Sequence, residues 1–393
     1  MNEWKKVKLG NLLEEYCERN DNQKYKAVAV GKYGIRKRED IYSKDLSKDI
    51  SKNKIIKKDT LTIGMGSAQI DIGILTEDDI FCVSPAYTTY KIKKCNSKFL
   101  EYYLEYLNPK LSDLFMIVSA RQGKNVDKDG MLRHEVMIPP IEEQEKIVKI
   151  LKNVDSIINL YEKLLEEKNQ FIKSQFVEMF GSINNSQYEI KKLEEIVDKN
   201  NKYSLKRGPF GGSLKKDDFV DEGYLVYEQR HAIHNDFEYE KYYIDKEKYN
   251  SMEMFKVIPG DLIVSCSGVT LGRIAEIPSN AKEGIINQAL LKISLDNRIM
   301  NNAFFIQQFR SDEIQNYLFG FSRGSGIPNF PSMNEVKKLK FICPNMDEQL
   351  KYENIIYQID KQKIELEKLI TNYKVLKKGL MQQLLTGKIR VKI

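Results

Sequence analysis

Apolar residues recur every three or four positions along two long stretches of this chain. The first runs from Ile147 through Ile150/Leu151, Val154, Ile157/Ile158, Tyr161, Leu164/Leu165 and Phe171/Ile172 to Phe176. The second runs from Tyr352 through Ile355/Ile356, Ile359, Leu366, Leu369/Ile370, Tyr373, Leu376 and Leu380 to Leu384. A 3.5-residue apolar period is the seam of a helix packed on another helix. Glu142 and Glu143 place negative charge at the positive end of the first helix. The two stretches are copies of one another. Pro139 falls on Pro344, Glu143-Gln144 on Glu348-Gln349, Asp155 on Asp360, and Glu162-Lys163-Leu164 on Glu367-Lys368-Leu369. A helix of about forty residues is roughly 60 Å long. The equal seams predict two helices that pair antiparallel with each other; a seam that receives another protein's helix is the alternative.

Before each long helix lies a region with a different rhythm. IIKKDTLTIGMG, IDIGIL and DIFCVSPAYTTYKI in the first half, and YLVYEQRHAI, VIPGDLIVSCSGVTLGRIAEIP and GIINQALLKI in the second, are short runs rich in Ile, Val, Thr and Tyr. They are punctuated by Gly, Asp and Pro, which is the signature of strands and turns. Lys98–Leu107 and Asn302–Phe319 read as helices. WKKVKLGNLLE at Trp4 is echoed by YEIKKLEEIVD at Tyr188, with Leu193 answering Leu9. The expectation is an α+β protein with two pseudo-symmetric globular regions, 1–138 and 188–343. The long helices occupy 139–181 and 344–387, a polar linker 182–187, and a basic tail 388–393.

A length of 393 residues suits more than one domain, and 41% hydrophobic with 30% charged residues suits real cores beside solvated helices. The formal charge of +7 is compatible with an anionic partner. The five cysteines, Cys17, Cys82, Cys95, Cys266 and Cys343, form no CxxC pair, which excludes a zinc ribbon or thioredoxin motif and suits a reducing compartment. The N-terminus has no apolar leader segment and no apolar run reaches membrane-spanning length, so a cytoplasmic protein without a membrane partner is expected.

The sequence carries no recognisable catalytic constellation. No phosphate loop, no dinucleotide fingerprint and no nucleophile elbow occurs, and Gly208–Gly212 carries Phe210 where a phosphate loop needs small residues. The Asn-Pro-Pro-aromatic tetrapeptide of amino-methyltransferases is absent. His231 and His234 are spaced i, i+3 but have no third ligand at suitable spacing, so they read as polar residues of a surface loop, not a metal site.

What remains is a binding inventory. Basic residues lie among Gly, Ser, Asn, Gln and aromatics at Arg36-Lys37-Arg38, Lys52–Lys58, Arg121-Gln122-Gly123-Lys124, Lys206-Arg207, Lys215-Lys216, Arg230 and Arg323. Such residues neutralise phosphates, while Arg and Gln also pair with guanine and adenine edges. Solvated surface charge is the plain alternative for any one cluster. Duplication favours binding, because two similar readers in one chain suit a divided DNA site.

Four motifs give the chain a resemblance to a known family. They are GPFGGSLKK at Gly208–Lys216, GDLIVSCSGVTLGRIAEIP at Gly260–Pro278, CVSPAYTTYKI at Cys82–Ile92, and the Pro…Glu-Gln start of each long helix. In these the chain resembles, over essentially its whole length, the specificity subunit of type I restriction-modification enzymes. The resemblance implies that each globular region is a target-recognition domain for one half of a bipartite double-stranded DNA site. It implies that the helices fix the gap and dock two methyltransferase subunits, with motor-endonuclease subunits joining them. It also implies that this chain is not itself an enzyme. S-adenosylmethionine, ATP and magnesium would belong to the partners, with no cofactor in this chain. The assembled complex would be a site-specific endonuclease and adenine methyltransferase. Residues in the loops that form or adjoin these motifs are expected on the DNA-facing surfaces: Tyr87, Arg121, Gln122 and Lys124 in the first half. In the second they are Gly208, Phe210, Gly211, Ser213, Lys215, Arg230, Ser267, Arg273, Gln288 and Arg323, with a packing role as the alternative for Arg273 in its strand-like run. The first half departs from the pattern: it lacks the GPFG element, and Gly64-Met65-Gly66-Ser67 stands where the second half has Ser265-Cys266-Ser267-Gly268.

Two other readings stay open on sequence alone: a helical scaffold that binds only protein, and the specificity part of a related restriction system. Substituting Arg121 or Arg323 by Ala is expected to weaken DNA binding by about 1–3 kcal/mol if either reads a base. Equilibrium binding to the cognate duplex measures it, and unchanged affinity in both variants contradicts the assignment.

Overall fold

The computed structural model describes residues 3–32, 34–41, 49–66, 68–119, 123–320 and 330–391. The chain forms two compact units. One comprises Met1–Lys163 with Glu367–Ile393, and the other Leu164–Leu366. The long helices, Ile141–Phe180 and Met346–Leu384, each contribute one segment to either unit.

The repeat seen in the sequence is a repeat of topology. In the first unit Lys5–Lys8 pairs antiparallel with Glu135–Ile138, just before the long helix. A four-stranded antiparallel sheet follows in the order Leu13–Glu15, Thr88–Ile92, Thr60–Ile63, Ile72–Leu75. In the second unit Glu189–Lys192 pairs with Lys340–Cys343, and the sheet order is Leu205–Arg207, Leu290–Ile293, Leu262–Ser265, Ile274–Glu276. Leu262–Ser265 is buried at every position, so it reads as a continuous apolar run without alternation. One face of this sheet shares a core with Phe304, Phe305 and Phe309 of the following helix and with Tyr352 of the long helix. The other face, through Ile263, packs with Leu225 and Tyr227 of a second sheet.

Two helices differ from the sequence expectation. The first runs Ser97–Phe115, well past Leu107, and contains Pro109. Pro removes one helical hydrogen bond, but a polar network spans the defect. Asn108 Nδ2 donates to the Ile70 carbonyl (3.0 Å), Ser112 Oγ donates to Asn108 Oδ1 (3.0 Å), and the Ile70 N–H donates to Ser112 Oγ (2.9 Å). The expected Asn302–Phe319 helix is two helices, Asn302–Phe309 and Asp312–Gly320. The break is held open because Arg310 donates to the Ile274 carbonyl (3.0 Å), and Gln315 caps the freed Phe309 carbonyl (2.7 Å).

Within each unit the long-helix segments run antiparallel. In the first, Asp155 meets Lys377 (3.0 Å) and Glu162 meets Lys374 (2.7 Å). In the second, Lys168 donates to Gln362 (2.6 Å), and the Tyr352 hydroxyl, ten residues before Gln362, donates to the Ile172 carbonyl (2.9 Å). The apolar seam is only half used. Ile147, Leu151, Val154, Ile158, Ile356, Ile359, Leu366 and Ile370 are buried, but Leu164, Phe171, Leu369 and Leu376 are 37–49% exposed.

The start of each long helix is fixed by the same buried glutamine. Gln144 donates to the Pro139 carbonyl (2.8 Å) and accepts from the Asn96 N–H (2.8 Å). Gln349 donates to the Pro344 and Ile299 carbonyls (2.9 Å each) and accepts from the Asn301 N–H (2.8 Å). Asn96 and Asn301 in turn cap the preceding helices through Phe99 and Phe304. The neighbouring glutamates have matched partners as well. Glu143 accepts from Trp4 Nε1 (3.2 Å) and Glu348 from the Tyr188 hydroxyl (2.9 Å). Glu143 also takes a two-pronged bond from Arg390 (2.8 Å each), which holds its carboxyl below the usual carboxylate range. Replacing Gln349 by Ala removes its three hydrogen bonds to the backbone of Ile299, Asn301 and Pro344, so urea denaturation should show a loss of about 2–4 kcal/mol. A change under about 0.5 kcal/mol, the scale of an ordinary surface substitution, would contradict this role.

Candidate nucleic-acid interface

Strand parity gathers the singled-out loops of the second unit at one end of its sheet. Arg207 is opposite Leu291, Ser265 opposite Leu290, and Val264 opposite Ile274. The segments that leave or enter these positions, 208–216, 266–273 and 287–289, therefore emerge together. Gly208 holds two of them in contact: a Cβ there would lie 1.8 Å from the Asn287 carbonyl oxygen. The Asn287 N–H is bonded to the Tyr227 carbonyl (3.0 Å), which brings the helix Gln229–His234 alongside.

The predicted residues of this unit fall as follows. Phe210 is 58% exposed, with the Arg207 guanidinium 4.9 Å above its ring. Gly211 turns at φ +67°. Ser213 Oγ closes the turn on the Phe210 carbonyl (2.8 Å), and the exposed Lys215 begins a short turn capped by Asp218 (2.6 Å). Ser267 accepts from Gln229 Nε2 (2.9 Å). Arg273 and Gln288 are exposed at the rim. Arg230 is exposed too, but its guanidinium lies over the Tyr239 ring (4.4 Å) and bonds Asp236 (3.3 Å), so its charge is partly engaged. Arg323 lies outside the described residues.

The first unit repeats the arrangement with other residues. Glu15 is opposite Tyr90, and Ile63 is opposite both Thr88 and Ile72, so the segments beginning at Tyr16 and Gly64 and ending at Tyr87 share an end. Tyr87 packs on Gly64, where a Cβ would lie 2.8 Å from its ring, and its carbonyl accepts from Lys54 (2.5 Å). Lys124 sits in the strand Gly123–Val126 by its backbone; its side chain, like Arg121 and Gln122, lies outside the described residues.

Two neighbouring residues stand out only in three dimensions. Gln229 Oε1 and Arg207 Nε are buried without a hydrogen-bond partner, and both lie at this sheet end. Their signal in the sequence is faint: one polar pair after YLVYE and one arginine before GPFG. His231 is not the surface-loop residue that the sequence suggests: it is 1% exposed, accepts from the Glu228 N–H (2.9 Å) and faces the Tyr239 carbonyl (2.8 Å). The period of the helix Gln229–His234 turns His231 inward while His234 stays exposed. Among the described residues no three His, Cys, Asp or Glu are grouped to hold a metal, and no helix is long and apolar enough to cross a membrane.

The electrostatics suit an anion. Segments 207–216, 266–273 and 287–289 carry Arg207, Lys215, Lys216 and Arg273 and no carboxylate. Burial pushes the Cys266 thiol up to about 12, so it stays a neutral spacer among them.

A four-stranded antiparallel sheet that gathers its loops at one end occurs once in each compact unit, which defines a duplicated-domain protein. Residues 1–170 match the family model of the type I restriction modification DNA specificity domain. The chain is 24% identical over 335 residues to the type I restriction enzyme MjaVIII specificity subunit of Methanocaldococcus jannaschii, covering 78% of this chain and 74% of that one. Its fold is shared with a solved chain from work on complex assembly and conformational transition of the type I R-M system. That match has a TM-score of 0.59 and 13% identity, over 98% of both chains. The resemblance to type I specificity subunits read from the four motifs is thereby borne out.

Gly208 and Gly211 offer a contrast in the same loop. Gly208→Ala forces its new Cβ into a backbone oxygen and should cost about 2–4 kcal/mol. Gly211→Ala meets nothing within 4 Å and should cost only the roughly 1 kcal/mol of a left-handed alanine. Denaturation midpoints of the two variants measure the difference; equal losses would contradict the contact at Asn287.

Proposed function

We propose that this chain is the DNA sequence-recognition subunit of a type I restriction-modification complex, each compact unit reading one part of a bipartite double-stranded site. The observation that carries the reading is the sheet end built twice with the same strand order and different loops. The same scaffold presents two different sets of side chains, as two different half-sites require. In the second unit those loops are cationic and free of carboxylates, suited to a phosphate backbone. Arg273, Gln288 and Ser267 then supply donors and acceptors for base edges.

The chain itself performs no catalysis in this reading. Methyltransferase subunits dock on the long helices, where Leu160, Val177, Tyr357, Val375 and Leu376 expose apolar surface (48–68%). They carry S-adenosylmethionine, and motor-endonuclease subunits bring ATP and magnesium. The complex acts in the cytoplasm. The helix segments shared between the units fix the gap between half-sites.

Mapping methylated adenines genome-wide, in cells carrying the system, tests this reading. The wild type should yield one bipartite motif. A variant lacking one heptad from both long helices should keep the bases of each half and change the gap, or lose methylation. A wild type without any sequence-specific pattern would leave only a protein-binding scaffold, and altered bases in the variant would contradict the ruler.

A further inference from the structure

The turn Gly268–Thr270, at the tip between strands Leu262–Ser265 and Ile274–Glu276, holds the most exposed large apolar side chain among the described residues: Val269, at 87%. Its exposure does not come from a loose loop. The Gly272 N–H donates to the Ser265 carbonyl and the Ser265 N–H to the Arg273 carbonyl (2.8 Å each). Ser265 Oγ bonds the Thr270 carbonyl, and the Arg273 N–H bonds Ser265 Oγ (3.1 Å). On one side of Val269, Ser267 is held by Gln229 (2.9 Å); on the other, Leu271 is 1% exposed in the core. Gly268 and Gly272, at φ +72° and +81°, give the backbone its turn. Val269 is β-branched, so its rotamer is stiff as well. A fixed backbone thus holds two methyl groups in water, where they add nothing to the fold.

We propose that Val269 is a specificity-determining residue that contacts the 5-methyl group of a thymine in the major groove. The inference rests on the DNA-reading proposal above and deepens it. The choice of occupant follows from charge. Val269 lies in a segment without carboxylates, four residues before the exposed Arg273, at the sheet end that also bears Arg207 and Lys215. Arg207 and Lys215 suit flanking phosphates. An apolar tip between them meets, in the major groove, one apolar group on the base edges: the thymine methyl.

The test uses the assembled complex and the cognate duplex found by methylation mapping. Each thymine of both half-sites is replaced singly by deoxyuridine, which removes only the methyl group. Wild-type affinity should fall about fourfold at one position, the loss of one buried methyl. Val269→Ala should bind the thymine and uracil duplexes equally, and Val269→Thr, which keeps one methyl and the branching, should retain part of the discrimination. Uracil insensitivity at every position, or undiminished discrimination in Val269→Ala, overturns the proposal. Loss of methyltransferase subunits from Val269→Ala with discrimination intact overturns it in favour of a protein contact. A wild-type complex with no preference for the cognate over a scrambled duplex removes the DNA-reading proposal and this one with it. A clear preference without uracil sensitivity removes only the valine contact.

Discussion

A buried side-chain amide at the first turn of each long helix is the constraint on which both units depend. Backbone groups inside a protein must be paired, and a chain that passes from a strand through Pro into a helix leaves several without partners. Gln144 and Gln349 answer this from inside the helix, tying the Pro carbonyl to the N-terminus of a second helix. One side chain thereby sets the angle among strand, short helix and long helix. The glutamate before it ties in the first strand of the unit through Trp4 or Tyr188. In the first unit Arg390 and Val391 of the tail close on the same carboxylate, while Trp4 packs on Gly387.

With that frame fixed, an antiparallel sheet sorts the rest. Every second connection in such a sheet returns to the same end, so loops far apart in sequence converge there without any contact of their own to bring them together. The interior strands need only be buried along their whole length to do this, as Leu262–Ser265 and Leu290–Ile293 are. The loops are then free to vary. This is why the units can match in topology while Gly64 and Tyr87 meet in one and Gly208 and Asn287 in the other.

The long helices, the duplicated helix start and the strand-bearing regions were legible because each rests on local spacing: a 3.5-residue period, a Pro followed by Glu-Gln, and runs of β-branched residues between turns. The same spacing misled where distant groups intervened. Pro109 signals a helix end, yet Asn108 and Ser112 find Ile70 and the helix continues. The 302–319 pattern is continuous, yet Arg310 and Gln315 are drawn to carbonyls of other segments and it breaks. His231 reads as a surface residue in the sequence because no local pattern shows that the Tyr239 carbonyl faces its ring.

The sequence by itself determined the repeat, the helix seams, the strands and the chemical character of the loops, since these follow from the order of apolar, small and basic residues along the chain. Only the tertiary structure decided which loop residues share a face. It set Gln229 against Ser267 and left Val269 in water. It also engaged Arg230 with Asp236 and Tyr239. The reason is that such juxtapositions depend on strand register and on the packing of the helix Gln229–His234 at the sheet end, which bring together residues six positions apart (Arg230 and Asp236) as readily as thirty-eight apart (Gln229 and Ser267) and leave no period in the sequence to read.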